Sequence, residues 1–294
     1  MTKVITRIRG GLGNQLFCYA AARRLALVND ADLAIDYITG FTRDRLYGRR
    51  CMLDHFSIPA RRASSAERLE PFERYRRCVM KWLSRRKPFA ERRYLEQEGM
   101  NFDERLLSLK VKDTLYLDGY WQGEGYFKDV EKTIRADMRI IPPEDTLNRR
   151  MAMEIRNCQS IAVHVRWFDE PGNTEIHNAS TEYYQRAIAF TDKRCPSSHY
   201  FVFSDDEAAT RTKLTFPADR VTFLSHNQGN ENAYADLWLM TQCEHFITAN
   251  STFSWWGAWL GGGKGKIVIT PDVKIEGIMS WGFSGLIPNE WVPM

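Results

Sequence analysis

Four short segments of this 294-residue chain carry polar groups that a plain apolar core does not need. His164-Val165-Arg166-Trp167-Phe168-Asp169 closes a β-branched run, and strand alternation puts His164 and Arg166 on one face. A guanidinium at a strand end suits a phosphate, because its planar fork holds two oxygens at once. The alternative is an ion pair with a nearby carboxylate such as Asp169. In Phe203-Ser204-Asp205-Asp206-Glu207, Ser204 and Glu207 have the spacing of a helix capping box. A carboxylate there can also accept hydrogen bonds from a guanine N1–H and amino group, with capping and N-terminal charge complementarity as the other reading for Asp205 and Asp206. Ala249-Asn250-Ser251-Thr252-Phe253-Ser254 opens a Trp-rich helix, where hydroxyls and free N–H groups form an anion site or an ordinary cap. Arg9-Gly10-Gly11-Leu12-Gly13-Asn14 follows the first strand. It is no G-x-G-x-x-G, since Leu16 stands where the third Gly belongs, and it lacks the Lys-Ser/Thr of a P-loop. Its glycines allow close approach to a ligand or simply a tight turn.

Other chemistries find no support. There is no H-E-x-x-H and no G-x-S-x-G, nor a D-x-D flanked by apolar strand residues. The six cysteines (Cys18, Cys51, Cys78, Cys158, Cys195, Cys243) include no close metal-binding pair and read as reduced, mostly buried thiols. The expected site therefore neutralises a diphosphate with Arg and helix dipoles, with no metal and no cofactor.

The elements that must position these loops follow from the pattern. Residues 3–8, a helix over 15–28 and a strand over 32–37 open in β-loop-α-β order. A strand over 115–120 and a helix over 125–136 follow. Ile141-Pro142-Pro143-Glu144-Asp145 is a polar break near the midpoint. After it, strands at 160–166, 200–203, 220–224, 245–248 and 266–270 alternate with helices at 181–192, 206–214, 232–241 and 252–260. Short continuous apolar strands point to a parallel sheet covered on both faces. The fold class expected is α/β, with two Rossmann-like domains, 1–145 and 146–294, facing each other across a cleft at the carboxyl ends of the strands.

Composition agrees with a folded globular chain: 44% hydrophobic, 27% charged, and a mild net charge of +4. That charge does not by itself suggest nucleic acid. Aromatics reach 13% with nine Trp, some of them expected on ligand surfaces. No apolar run reaches the ~18 residues of a membrane span, and no secretory signal opens the chain. Residues 61–93 differ from the rest, with twelve Lys and Arg against four Asp and Glu, an excess of +8. Phe72, Tyr75, Val79, Trp82 and Phe89 fall there at helix-like intervals, so one or two basic amphipathic helices are expected. Either they form a solvated face, or they meet an anionic membrane surface or an acidic or lipid-linked substrate.

Taken together, Gly10-Gly11-Leu12-Gly13-Asn14-Gln15-Leu16-Phe17, Gly119-Tyr120-Trp121-Gln122, His164-Val165-Arg166-x-x-Asp169, Phe203-Ser204-Asp205-Asp206 and Asn250-Ser251-Thr252-Phe253-Ser254-Trp255-Trp256-Gly257-Ala258-Trp259-Leu260 resemble the bacterial α-1,2-fucosyltransferases of glycosyltransferase family 11. Pro288-Asn289-Glu290-Trp291 resembles the family's end. The resemblance implies a GT-B fold, GDP-fucose as donor, a galactose-terminated and often lipid-linked surface glycan as acceptor, no metal, and inversion at the anomeric carbon. It makes Arg166 the ligand of the leaving β-phosphate. Looser similarity to α-1,6- and protein O-fucosyltransferases places His164 and Asp206 at the guanine and Ser251, Thr252 and Ser254 at the phosphates. Asn250, Gly11 and Asn14 complete the expected donor set. The family motif is H-x-R-R-x-D, and Trp167 stands where its second Arg usually sits.

The resemblance also implies a mechanism. An acceptor hydroxyl attacks the fucose anomeric carbon opposite GDP, and Asp169 or Glu175 takes the proton, with His177 a weaker candidate. The N-terminal half binds the acceptor. The expected location is the cytoplasm, with peripheral contact at the inner face of the membrane through residues 61–93. Alternatives are another fucose linkage or GDP-sugar, a nucleotide-binding oxidoreductase, and a non-catalytic nucleic-acid binder.

Overall fold

A computed structural model describes residues 2–167, 178–277 and 280–294. The chain divides into two α/β units. One runs to Arg139 and includes Ser284–Ile287; the other is Ile140–Phe283 with Pro288–Met294. The division precedes the polar break at 142–145 because that break starts a helix: Asp145 accepts the backbone N–H of Asn148 at 2.8 Å.

In the first unit, β1 (Lys3–Arg7), α1 (Leu12–Val28), β2 (Asp32–Asp36), β3 (Arg61–Arg62), α2 (Glu73–Arg85), β4 (Tyr94–Glu96), β5 (Thr114–Asp118) and α3 (Glu131–Asp137) follow in order. The sheet order is β3-β2-β1-β5-β4, and every pairing is parallel. Val4, Ile5, Leu33, Ala34, Leu115 and Leu117 are buried in it, as a sheet covered on both faces requires. Helix α1 is apolar nearly all round, with Leu16, Phe17, Tyr19 and Ala20 all buried, so it lies inside the unit.

Residues 61–93 form one α-helix, α2, between the short β3 and a one-turn helix at Phe89–Glu91. Its polar side faces inward. Asp36 and Asp118 end β2 and β5 as buried carboxylates, and buried charge is costly without partners. Arg77 lies 3.6 Å from Asp36 and donates to Thr39 at 2.9 Å. Lys81 lies 3.4 Å from Asp118 and 2.5 Å from Glu96, and Arg85 reaches Glu96 at 2.6 Å.

The second unit contains α4 (Thr146–Arg156), β6 (Ser160–Val165), α5 (Thr181–Arg194), β7 (His199–Ser204), α6 (Glu207–Lys213), β8 (Val221–Leu224), α7 (Ala233–Met240), β9 (His245–Ile247), α8 (Thr252–Leu260), β10 (Val268–Thr270) and β11 (Val292–Pro293). The order β11-β10-β9-β6-β7-β8 is again wholly parallel. Every residue of β6 is buried. Successive strands run outward from β6 in both directions, so the β6/β9 junction is a topological switch point, where such sheets bind ligands. Ile161, Val163, Val165, Tyr184, Val202 and Ile247 lie in its core.

The tryptophans correct one expectation. Eight of the nine are buried, four of them (Trp255, Trp256, Trp259 and Trp291) against one another around α8. Only Trp82, on α2, is exposed.

Candidate active site

In the second unit, the loops after β6, β7 and β9 leave neighbouring strands at the same sheet edge. The register pairs Val165 with Ser204, so the next residues, Arg166 and Asp205, face each other across two strand ends. Arg166 Nε lies 3.2 Å from Asp205 Oδ2, and the Trp167 N–H donates to Asp205 Oδ1 at 2.9 Å. Asp205 is not the cap of the following helix; it fixes the strand end that carries Arg166. Strand alignment is the signal that reveals this pair. The expected partner Asp169, and the base candidates Glu175 and His177, lie outside the described residues. The Arg166 side chain remains 40% exposed.

Trp167 belongs to the core. It is buried, donates Nε1–H to Thr210 at 2.8 Å, and meets Tyr184 edge-on. At the position of the motif's second Arg, this chain places a structural aromatic. His164 is buried beside it, with its ring centroid 5.3 Å from that of Phe253 in the first turn of α8. Burial, helped by the Arg166 charge, pushes its pKa down to about 3, so the imidazole is neutral at neutral pH. Its Nδ1 has no hydrogen-bond partner among the described residues.

Asp206 is the N-cap of α6, accepting the Ala209 N–H at 2.8 Å. The expected Ser204–Glu207 capping box is absent, because the helix begins one residue after Asp206. Ser204 Oγ instead takes the Asp206 N–H at 3.1 Å, and Glu207 pairs with Arg211 at 2.7 Å.

At the end of β9, Asn250 is buried and accepts the Ala179 N–H at 3.2 Å. Ser251 caps α8 through the Phe253 N–H at 3.3 Å. Ser251 and Thr252 are part-exposed, at the positive end of the helix macrodipole. Ser254 does not join them. It is fully buried, and its hydroxyl donates back to the Ala249 and Ser251 carbonyls.

In the first unit, the segments after β1 and β5 meet. Gly11 precedes α1 with open space around its α-carbon, while Gly10 takes a left-handed φ of +76°. Asn14 Oδ1 accepts from Gln122 at 2.7 Å. Gln15, buried and missed as a site support, donates to the Gly10 and Arg50 carbonyls at 3.0 Å and accepts the Met52 N–H at 2.8 Å. Arg9 lies over the Tyr120 ring at 4.7 Å and 3.7 Å from Asp118. Burial opposes the Asp118 charge, yet Arg9, Arg7 and the Tyr94 hydroxyl hold its carboxyl below the usual range.

The family model described as Glycosyl transferase family 11 matches residues 3–292. This chain belongs to glycosyltransferase family 11. The family 11 chain is 29% identical over 300 residues to an alpha-1,2-colitosyltransferase of Escherichia coli, covering 99% of each. It is 28% identical over 287 residues to the Escherichia coli O-antigen biosynthesis glycosyltransferase WbnK, covering 90% of this chain and 92% of that one. Among solved structures, a mutant of Arabidopsis thaliana FUT1 in complex with GDP superposes with a TM-score of 0.54 at 14% identity, over 95% of this chain and 72% of that one. The fold is of GT-B type, with two parallel-sheet α/β units, and the chain is a glycosyltransferase. No cluster of three or more His, Cys, Asp or Glu suited to a metal occurs among the described residues.

Proposed function

We propose that this glycosyltransferase transfers L-fucose from GDP-β-L-fucose to the 2-hydroxyl of a terminal galactose in an O-antigen or similar surface glycan, with inversion and without a metal. The observation that carries this reading is the edge formed by Arg166 and the N-terminus of α8, with neutral His164 between them. Two dispersed positive groups flanking a neutral donor suit a nucleoside diphosphate leaving group. The bond from the anomeric carbon to the β-phosphate oxygen breaks, and its electron pair stays on that oxygen. Arg166, Ser251 and Thr252 stabilise the charge that grows there. Asn250 holds the loop, while His164 and Asp206 face the guanine. The acceptor oxygen bonds to the opposite face of the sugar and yields its proton to Asp169 or Glu175. Gly11 and Asn14 also serve the donor, and the first unit binds the acceptor. The α-1,2 linkage and the O-antigen acceptor draw on the names of the two Escherichia coli relatives.

The first of those names favours a second reading, in which colitose replaces fucose. GDP release from GDP-fucose and from GDP-colitose, each with and without a β-galactoside and with EDTA throughout, tests both. Galactoside-dependent release that survives chelation from GDP-fucose alone supports the first reading, and from GDP-colitose alone the second. Absence of any GDP binding overturns the donor class.

A further inference from the structure

Helix α2 is turned inside out. Arg77 and Ser84 are buried, with Ser84 Oγ accepting the Tyr94 N–H at 3.1 Å. The ion pairs to Asp36, Glu96 and Asp118 fix the helix in that rotation. The opposite face carries Phe72 (76% exposed), Tyr75 (73%), Val79, Trp82 (53%) and Leu83, a stripe at i, i+3, i+7, i+10 and i+11. Such a contiguous apolar stripe on a soluble surface marks a binding face. Phe72 adds a separate observation. It caps the helix in a left-handed conformation, φ +67°, which favours Gly or Asn. Neither backbone geometry nor solvation accounts for a phenylalanine there.

Charge names the partner. Residues 72–87 hold seven Lys and Arg and one Glu. Arg77, Lys81 and Arg85 are matched to carboxylates. Arg74, Arg76, Arg86 and Lys87 have no ion pair among the described residues, and Arg86 lies over the Trp82 ring at 3.3 Å. A second copy docking face to face would bring these unmatched cations together. An anionic phospholipid surface satisfies both the stripe and its basic rim, with Trp and Tyr at headgroup depth. We infer that α2 seats the chain on an anionic bilayer through this outward face. The inference rests on the proposed use of a surface glycan and supplies the membrane contact that a lipid-linked form of it would need.

The test is sedimentation of the full chain with vesicles of one part phosphatidylglycerol to two parts phosphatidylcholine, and with pure phosphatidylcholine, in the absence of any sugar nucleotide. The wild type should sediment with the anionic vesicles and lose that binding as salt rises. The double variant Phe72→Ser/Trp82→Ser and the pair Arg76→Glu/Arg86→Glu should each bind at least about tenfold more weakly. All four positions are exposed, so circular dichroism and melting temperature should match wild type. Wild type left in the supernatant, equal binding to neutral vesicles, or variants that bind like wild type overturns the inference. A lipid-free dimer dissolved by Trp82→Ser, without vesicle binding, assigns the face to a second copy and also overturns it. Because the assay contains no donor, its failure leaves the donor reading standing.

Discussion

Arg166, the proposed phosphate ligand, is held at its strand end by Asp205. Removing Arg166 should lower kcat/KM by roughly 10²–10³, the loss typical of one preorganised donor at a developing anion. Steady-state kinetics of Arg166→Ala with GDP-fucose checks this, and near-normal turnover would refute the mechanism. Asp205 touches Arg166 and the Trp167 N–H from the next strand, so its part is positioning. Asp205→Asn should cost less than Arg166→Ala, about tenfold in kcat with the fold intact, and Asp205→Glu should recover part of the loss. A kcat unchanged in Asp205→Asn counts against the clamp. Ser254 gives a contrasting case. Its hydroxyl is buried and committed to two backbone carbonyls, so Ser254→Ala should cost stability of about 1 kcal/mol and leave KM for the donor unchanged. One strand, read only for alternation, gave Arg166 and His164; the partner of Arg166 depended on register, which no single strand contains.

At the scale of elements, α8 is the most constrained. Gly257 lies where an added Cβ would sit 2.8 Å from the Met240 methyl of α7. Gly257→Val should destabilise by roughly 1–3 kcal/mol through overpacking. Thermal denaturation reads this, and Met240→Ala in the same chain should restore part of the melting temperature. The alternation of strand and helix in the second unit was legible because continuous apolar runs of five residues between polar caps leave few other solutions. Helix α4 and strand β11 were not. The 146–156 segment carries three Arg and a weak apolar stripe, buried only at Asn148, Ala152 and Ile155, and β11 is two residues held by pairing with β10. The rotation of α2 was equally hidden. Its periodicity was plain, but which side faces inward was decided by Asp36 and Asp118, some 40 residues away on each side in sequence. The Ser204–Glu207 spacing misled for a local reason: Asp206, one residue before the helix, is the stronger cap.

For the whole molecule, one part-buried carboxyl couples folding to pH. Burial raises Asp236 to about 7, against a hydrogen bond from Asn227 at 2.8 Å that favours its charged form. In the unfolded chain it ionises near pH 4. Between roughly pH 4 and 7 only the unfolded chain releases this proton, so rising pH lowers stability across that window and the effect levels off above it. Asp236→Asn should therefore melt above wild type near pH 8, with the gap closing near pH 4. A gap of equal size at both pH values would show that the residue acts through packing alone. A different consequence follows from the residues near the C-terminus. Ser284–Ile287 belong to the first unit although the chain on both sides belongs to the second, and the Ser284 carbonyl accepts the Phe102 N–H at 3.0 Å while a side chain on Gly123 would strike the Gly285 carbonyl. A chimera that grafts the first unit of one family 11 enzyme onto the second unit of another by a single splice at residue 139 would carry a foreign tetrapeptide into this seam. Exchanging the first unit by recombination needs three crossovers, after residues 139, 283 and 287, so that 284–287 travel alongside it.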